Sequence, residues 1–165
     1  MQSYKDLSNH FGTNLYDPSF NSFLHANFSD LTEYNVAESD YVISEEKGIE
    51  LGFINEDAEF DEDEELVFNE GSPMFAFFNI NPTEQNFFKE LPFNIDFNDK
   101  REIVLEKAGN PTQTNQGRSD LLEKDFLVDH YKLDNLVITF DYDPISQALN
   151  FMQVRDNNLM EHLKL

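Results

Sequence analysis

Apolar side chains recur with a helical period at the start of the chain. Tyr4, Leu7 and Phe11 fall at positions i, i+3 and i+7, which predicts a short amphipathic helix. Asp17 followed by Pro18 is typical of a second helix start, because the carboxylate caps free N–H groups and proline fits the first turn. We therefore expect the chain to open with two short helices.

Alternating apolar positions follow, and they indicate strands. Ile49, Leu51 and Phe53 alternate with polar or small residues, so we expect a half-buried strand that pairs with a shorter one at 41–43. Residues 74–80 are mostly apolar, which is typical of a strand buried on both faces.

The next segments lead into a third helix. Residues 82–88 predict one or two helical turns, and 91–97 an extended stretch. Asn98 or Asp99 is the expected cap of a helix whose inward side chains lie within 103–108.

The last third is predicted to contain three more strands, within 126–131, 136–140 and 149–153. The polar stretch 112–119 is predicted to be a mobile loop, and 157–165 a terminal helix.

Similar elements appear twice in the same order. The strand at 49–53 corresponds to the strand at 136–140, and each follows a helix and a polar loop. We interpret the chain as one α+β domain, 1–165, with a twisted antiparallel sheet, helices on one face and a degenerate tandem α-β-β-β repeat whose halves are about 1–82 and 83–165. The alternative is that an α+β chain shows this order by chance.

The two halves differ in length between their second and third strands. Phe53 and Leu66 are 13 positions apart, whereas Phe140 and Leu149 are nine apart, if 66–68 is the third strand of the first half. About four extra residues therefore fall in the acidic run, Glu56 to Glu65, in which eight of ten residues are Asp or Glu. This predicts an elongated charged hairpin suited to contact a partner.

Composition indicates a folded intracellular protein. Aromatic residues make up 14% of the chain, with 17 Phe and six Tyr, far from the aromatic-poor composition of acidic disordered chains. There is no cysteine, no secretory signal pattern at the N-terminus and no apolar run long enough for a membrane span. We expect a cytoplasmic location.

The charge is large and unevenly placed. The formal net charge is -22, which argues against direct binding to nucleic acid or an anionic membrane and favours a basic partner. Residues 1–82 hold 18 of the 33 acidic residues but two of the 11 basic ones. Solubility alone is the alternative explanation, and it accounts less well for this concentration.

Sequence motifs for catalysis are lacking. The chain has no Gly-rich phosphate loop, no G-x-S-x-G and no H-E-x-x-H, and its four histidines show no ligand spacing. An EF-hand needs a glycine at the sixth position of its calcium-binding loop, and a loop that started at Asp57 would have Glu62 there. We predict a protein that is not an enzyme, with no catalytic residues, no cofactor and no metal site.

Two segments resemble a known pattern. LPFNIDFNDKR (91–101) and AGNP (108–111) resemble "LPFGL-F-S-R--V---LG-P" of immunity proteins from bacterial polymorphic and contact-dependent toxin systems. KGIELGF (47–53) resembles their upstream strand. Asn94 replaces the usual glycine and Ala108 the usual leucine. The helix-plus-hairpin plan is also similar, at the level of the fold, to that of β-lactamase inhibitor protein.

This resemblance implies a monomeric immunity protein that neutralises a cognate toxin domain in a 1:1 complex. A basic, nuclease-type toxin would suit the acidic surface. The alternatives are an acidic nucleic-acid mimic that inhibits a DNA-binding or restriction protein and, from another class, a small hydrolase or calcium-responsive module.

The predicted partner-binding residues all lie in the acidic run. Phe60 is the candidate apolar anchor, although it could equally pack on its own sheet. The predicted contacts are Glu56, Asp57, Glu59, Phe60, Asp61, Glu62, Asp63, Glu64 and Glu65.

Overall fold

Helices and strands follow one another in separate groups in a computed structural model that describes residues 3–31, 41–54, 59–60, 66–67, 73–84, 87–160 and 165. The helices are α1 (Tyr4–Ser8), α2 (Pro18–Asn27) and α3 (Arg101–Ala108), with a 3-10 turn at Pro92–Asn94. The strands are β1 (Tyr41–Ser44), β2 (Ile49–Ile54), β3 (Glu59–Phe60), β4 (Leu66–Val67), β5 (Met74–Ile80), β6 (Gln113–Ser119), β7 (Lys124–Leu133), β8 (Leu136–Tyr142) and β9 (Leu149–Asp156).

Seven of these strands form one antiparallel sheet in the order β1-β2-β5-β9-β8-β7-β6. The strands β3 and β4 pair separately. Two antiparallel series, β1-β2-β5 and β9-β8-β7-β6, meet where β5 pairs with β9. The predicted α+β class with an antiparallel sheet is confirmed.

The helices cover one face of the sheet. Leu51, Phe78 and Ile138 lie in alternating strand positions and are almost completely buried against the helices. The same apolar cluster includes helix residues from all three helices, namely Tyr4, Leu7, Phe20, Leu24 and Val104. Aromatic rings supply much of this core, because each ring removes a large apolar area from water. The sheet face on the far side from the helices is called the open face below.

The helix starts follow from local hydrogen bonding. Ser3 and Asp6 form a capping box at α1: the Ser3 hydroxyl accepts from the backbone N–H of Asp6, and the Asp6 carboxylate accepts from the backbone N–H of Ser3. The Asp17 carboxylate accepts from the N–H groups of Ser19 and Phe20, at 2.9 and 3.0 Å, and caps α2. Both predicted N-terminal helices are confirmed.

The prediction of a mobile loop at 112–119 is wrong. Residues Gln113–Ser119 form β6, and every one of them is paired with a residue of β7. Six of its seven residues are exposed, since β6 is an edge strand that neither helix nor sheet covers. A strand of this kind shows no apolar alternation, and backbone pairing with β7 holds it together with polar side-chain contacts such as Thr114 to Asp129.

The third strand of the first half was also assigned wrongly. Leu66 and Val67 pair with Phe60 and Glu59, whereas the strand that β2 pairs with is β5. The connection between the second and third strands is therefore longer than the four extra residues expected.

Three local predictions need correction. Of residues 82–88, those that the structure describes form no helix; 85–86 lie outside the described residues. The stretch 91–97 is not extended throughout, because a 3-10 turn bends it at Pro92–Asn94. The cap of α3 is Lys100, one residue beyond the nearest predicted position.

Residues 157–160 form a turn where a terminal helix was predicted, and 161–164 lie outside the described residues. Met160 packs on the open face against Ala76 and Phe77, with Leu159 and Ile54 beside them. Among the described residues, no helix is both long enough and apolar enough to span a membrane.

The Phe77 ring lies flat against the backbone of Gly52. A Cβ added at Gly52 would overlap Phe77 Cζ, far inside any normal contact distance. Because Phe77 is itself buried in the cluster under Met160, the ring has little room to move.

Gly52→Ala should therefore destabilise the protein by about 1–3 kcal/mol, the usual cost of overpacking. Gly117→Ala is the matched control, since its Cβ would meet Phe126 Cζ at 3.3 Å and should change stability by less than about 1 kcal/mol. Urea unfolding of both variants measures the difference, and equal effects would show that the Phe77 contact does not constrain Gly52.

Candidate functional site

The predicted partner-binding residues lie mostly outside the described residues. Among them the structure describes only the backbone of Glu59 and Phe60, which pair antiparallel with Val67 and Leu66. Asp61 to Glu65 stand between these two short strands in the sequence. The positions outside the described residues are Glu56, Asp57, Asp61, Glu62, Asp63, Glu64 and Glu65.

Both ends of this acidic segment are fixed side by side. Ile54, the last residue of β2, is directly opposite Met74, the first residue of β5. The residues between them, 55–73, are called the acidic connection; they hold nine Asp or Glu residues and no Lys or Arg. The acidic connection therefore starts and ends at one edge of the open-face cluster formed by Phe77 and Met160.

Polar side chains cross the open face in a straight line. Glu50 lies opposite Asn79, Asn79 opposite Gln153, Gln153 opposite Thr139, and Thr139 opposite His130. These five residues, one from each of five neighbouring strands, are called the polar row.

One end of the polar row is organised around the Glu50 carboxylate. Asn79 Nδ2 donates to Glu50 Oε2 and Asn81 Nδ2 donates to Oε1, both at 2.9 Å. Gln153 Nε2 donates in turn to Asn79 Oδ1 at 3.0 Å. The amides are thus oriented before any partner arrives, which lowers the entropy cost of binding through them.

The other end is organised around the His130 imidazole. Asn115 Nδ2 lies 3.2 Å from His130 Nε2, and Thr139 Oγ1 lies 2.9 Å from His130 Nδ1. An amide nitrogen only donates, so Nε2 accepts and the neutral ring carries its proton on Nδ1. Burial lowers the pKa of His130, and the Arg155 cation lowers it further, against a smaller opposing effect of Asp129.

Arg155 places a charged group among buried residues. Its side chain is 5% exposed and lies between Phe77 and Val137 in the register of the sheet. Burial lowers its pKa from the usual value, yet a guanidinium keeps its proton in proteins. A fixed cation therefore stands on the open face of a strongly acidic protein.

Asp129 and His130 are neighbours that face opposite sides of the sheet, as expected for an adjacent pair in a strand. The Asp129 side chain is completely buried on the helix face, where Arg101 Nε donates to Oδ2 at 2.8 Å and Nη2 to Oδ1 at 3.1 Å. The Thr114 hydroxyl donates to the same carboxylate at 2.5 Å. This cluster joins the start of α3 to β7 and β6.

Two tyrosines lie near this buried carboxylate. Burial raises the pKa of Tyr131 to about 12, with a further contribution from Asp129; its hydroxyl donates to the Gly109 carbonyl at 3.1 Å. Burial also raises the pKa of Tyr142, whose hydroxyl has no hydrogen-bond partner among the described residues. Both phenols stay protonated at neutral pH, so neither can act as a base there.

Within the part of the chain that the structure describes, no three His, Asp or Glu side chains come close enough to hold a metal ion. The polar row instead offers two amides, a carboxylate, an imidazole and a hydroxyl that are already hydrogen-bonded. Groups in this state can contact a partner surface without rearrangement.

The polar row was not predicted from the sequence. The signal was present as single polar residues inside otherwise apolar strands, such as Asn79 within Met74–Ile80. What the sequence lacks is the register, since only strand pairing shows that Glu50, Asn79 and Gln153 stand in one line.

Comparisons with known proteins identify no family. The chain matches no protein-family model and no curated protein. A solved structure of an extracellular protein containing an SCP domain from Bacillus anthracis str. Ames is similar at 13% identity and a TM-score of 0.44. The match covers 94% of this chain and 47% of that one, so the chain spans about half the length of that protein. A likeness this weak carries no argument about fold or function.

Removing Arg101 should cost far more stability than removing an exposed arginine. Arg101→Leu leaves the Asp129 charge buried without its cation, and we expect a loss of about 3–5 kcal/mol. Arg118→Leu is the matched control: both partners of its pair with Asp125 are largely exposed, 60% and 59%, and the loss should stay below about 1 kcal/mol. Chemical denaturation measures both, and similar losses would contradict the role given to the buried pair.

His130 should make the protein less stable in mild acid. Its pKa is lower in the folded state than in the unfolded chain, so below about pH 6.5 the unfolded state takes up the proton first and stability falls. His130→Gln removes the imidazole and with it this dependence of stability on pH. The difference in unfolding free energy between wild type and variant should shrink as the pH falls from about 8 to about 5; pH profiles that run parallel would rule the effect out.

Proposed function

We propose that this protein is a cytoplasmic immunity protein, which neutralises a cognate toxin domain by binding it in a 1:1 complex and not by catalysis. One observation carries the proposal: nine acidic residues and no basic one lie between Ile54 and Met74, two residues held opposite each other in the sheet. A concentration of charge in one anchored segment is suited to recognition.

The acidic connection carries an electrostatic cost. Like charges this close in sequence repel one another and oppose any compact arrangement. A basic partner reverses the sign of that energy, since each lysine or arginine that approaches meets several carboxylates. Complementary potentials also steer the two proteins together and speed association. The cleft of a nuclease, which attracts phosphate, is the kind of surface that meets these conditions.

The anchoring of the acidic connection supports the same proposal. Because its ends are fixed and Glu59 and Phe60 pair with Val67 and Leu66, part of its ordering cost is met before binding. Asp61 to Glu65 are our proposed charged contacts, with Glu56, Asp57 and Glu59 beside them and Phe60 as the apolar anchor.

We also propose that the domain is a degenerate tandem repeat, related by a pseudo-twofold axis between β5 and β9. Leu51 pairs with Phe78 in the first half, and Ile138 pairs with Val154 in the second. Phe78 and Val154, which correspond in this scheme, also pair with each other, as such an axis requires. Superposing β1-β2-β5 on β7-β8-β9 is the test, and a rotation far from a half-turn would refute the relation.

Co-expression with the toxin domain encoded beside this gene tests the function. We expect a stable complex and restored growth of the host, because a bound toxin cannot reach its substrate. If no complex forms and growth is not restored, the proposal is refuted. Displacement of a DNA-binding or restriction protein from duplex DNA would instead favour the nucleic-acid mimic, and a large rise in melting temperature with calcium would favour the calcium-responsive module.

Neutralising the five consecutive acids at 61–65 of the acidic connection should slow binding. With Asp61, Glu62, Asp63, Glu64 and Glu65 replaced by their amides, the association rate at low ionic strength should fall about tenfold or more, and the difference should shrink in high salt. The matched control makes the same change in net charge at five exposed acids elsewhere, Glu84, Glu102, Glu106, Asp120 and Glu123. Stopped-flow association rates that fall equally in both variants would show that overall charge, and not the acidic connection, governs binding.

A further inference from the structure

The strand β6 forms a long, regular edge of the main sheet. All seven of its residues pair with β7, from Gln113 opposite His130 to Ser119 opposite Lys124, without a shift in register. Six of its seven residues are exposed, so no other described part of the chain covers most of the strand. An edge like this presents unpaired backbone N–H and C=O groups to any strand that approaches.

Sheet edges are normally blocked by charge, proline or a bulge; β6 has no proline and no bulge, and it carries a single charged side chain. Gln113–Ser119 contains no acidic residue in a chain that has 33. Its one charged side chain, Arg118, is turned away from the edge: Nη2 donates to the Glu123 carbonyl in the turn before β7 at 3.1 Å, and Nη1 lies 3.4 Å from Asp125 of β7. The edge is therefore open, and β6 itself has none of the acidic side chains by which two copies of this chain repel each other.

We propose that β6 pairs with β6 of a second copy of this chain, antiparallel across a twofold axis, so that two seven-stranded sheets become one continuous sheet. The register is centred on Gln116, which faces Gln116 of the second copy. Thr114 then faces Arg118, Asn115 faces Gly117 and Gln113 faces Ser119.

The sequence of β6 is compatible with itself in this register. No two like charges face each other, because Arg118 meets a threonine and the nearest acid, Asp120, lies beyond the paired residues. A second copy of this chain always presents the same strand and therefore the same compatible pairs. A strand from a different protein would present compatible residues only by chance.

The net charge sets the conditions under which the pair forms. Each copy carries -22, so at low ionic strength long-range repulsion opposes association. Screening shortens the Debye length from about 30 Å at 0.01 M to about 3 Å at 1 M salt. The dimer should therefore become tighter as salt is added, which is opposite in sign to toxin binding through the acidic connection.

This inference does not rest on the proposed function. Three strands, β7, β8 and β9, separate β6 from β5 and the acidic connection, so a pair of copies leaves both acidic connections free. It replaces the expectation of a monomer in solution, and each copy can still bind one toxin.

Sedimentation velocity of the full chain, in low and in high salt, tests the inference. We expect a monomer–dimer equilibrium whose dissociation constant falls as salt rises. Gln116→Glu and Gln116→Lys should each weaken the dimer by about threefold or more, because like charges then face each other at the axis. A protein that remains monomeric at high salt and high concentration would overturn the proposal.

Mixing the two variants makes the test specific to the register. Equimolar Gln116→Glu and Gln116→Lys chains should form a heterodimer tighter than either homodimer, since opposite charges then meet. The matched pair Gln113→Glu and Gln113→Lys should show no such gain, because Gln113 faces Ser119. A dimer that ignores the Gln116 substitutions, or a mixture without preference for the heterodimer, would also overturn the proposal.

Discussion

The pairing of β5 with β9 is the interaction on which the rest of the structure depends. It covers four residue pairs, Phe77 to Ile80 opposite Arg155 to Met152, and it is where the two antiparallel series meet. Phe78 and Val154 lie at its centre and are both completely buried against the helices. Because core residues from both halves converge there, neither series has a complete apolar core without the other.

The junction between β5 and β9 also limits where charged side chains can lie. The centre of the sheet is buried on its helix face, and a buried charge needs a partner, as Asp129 has in Arg101. The open face accepts polar groups that satisfy one another, as Glu50 does with Asn79 and Asn81. The greatest excess of acid is then confined to a connection outside the seven-stranded sheet, where repulsion does least harm to the core.

Local chemistry could be read from the sequence, whereas pairing could not. The cap at Asp17, the alternation in β2 and β8, and the doubly buried β5 follow from short-range rules, and each was predicted. The edge strand β6 was missed because exposure removes the apolar alternation that identifies a strand. The polar row was missed because its members come from five strands and meet only through register. The acidic residues of the candidate site were evident, but sequence says nothing of what they touch.

The opposition of Ile54 and Met74 has a consequence for how this protein can evolve. A connection whose two ends already stand side by side closes a loop, and the entropy cost of a longer loop grows only slowly, by about 0.6 kcal/mol for each doubling. Residues between those ends can therefore be inserted, deleted or exchanged with little effect on the seven-stranded sheet. The sheet and the acidic connection can therefore evolve separately, and a lineage can change the sequence of the second while it conserves the first.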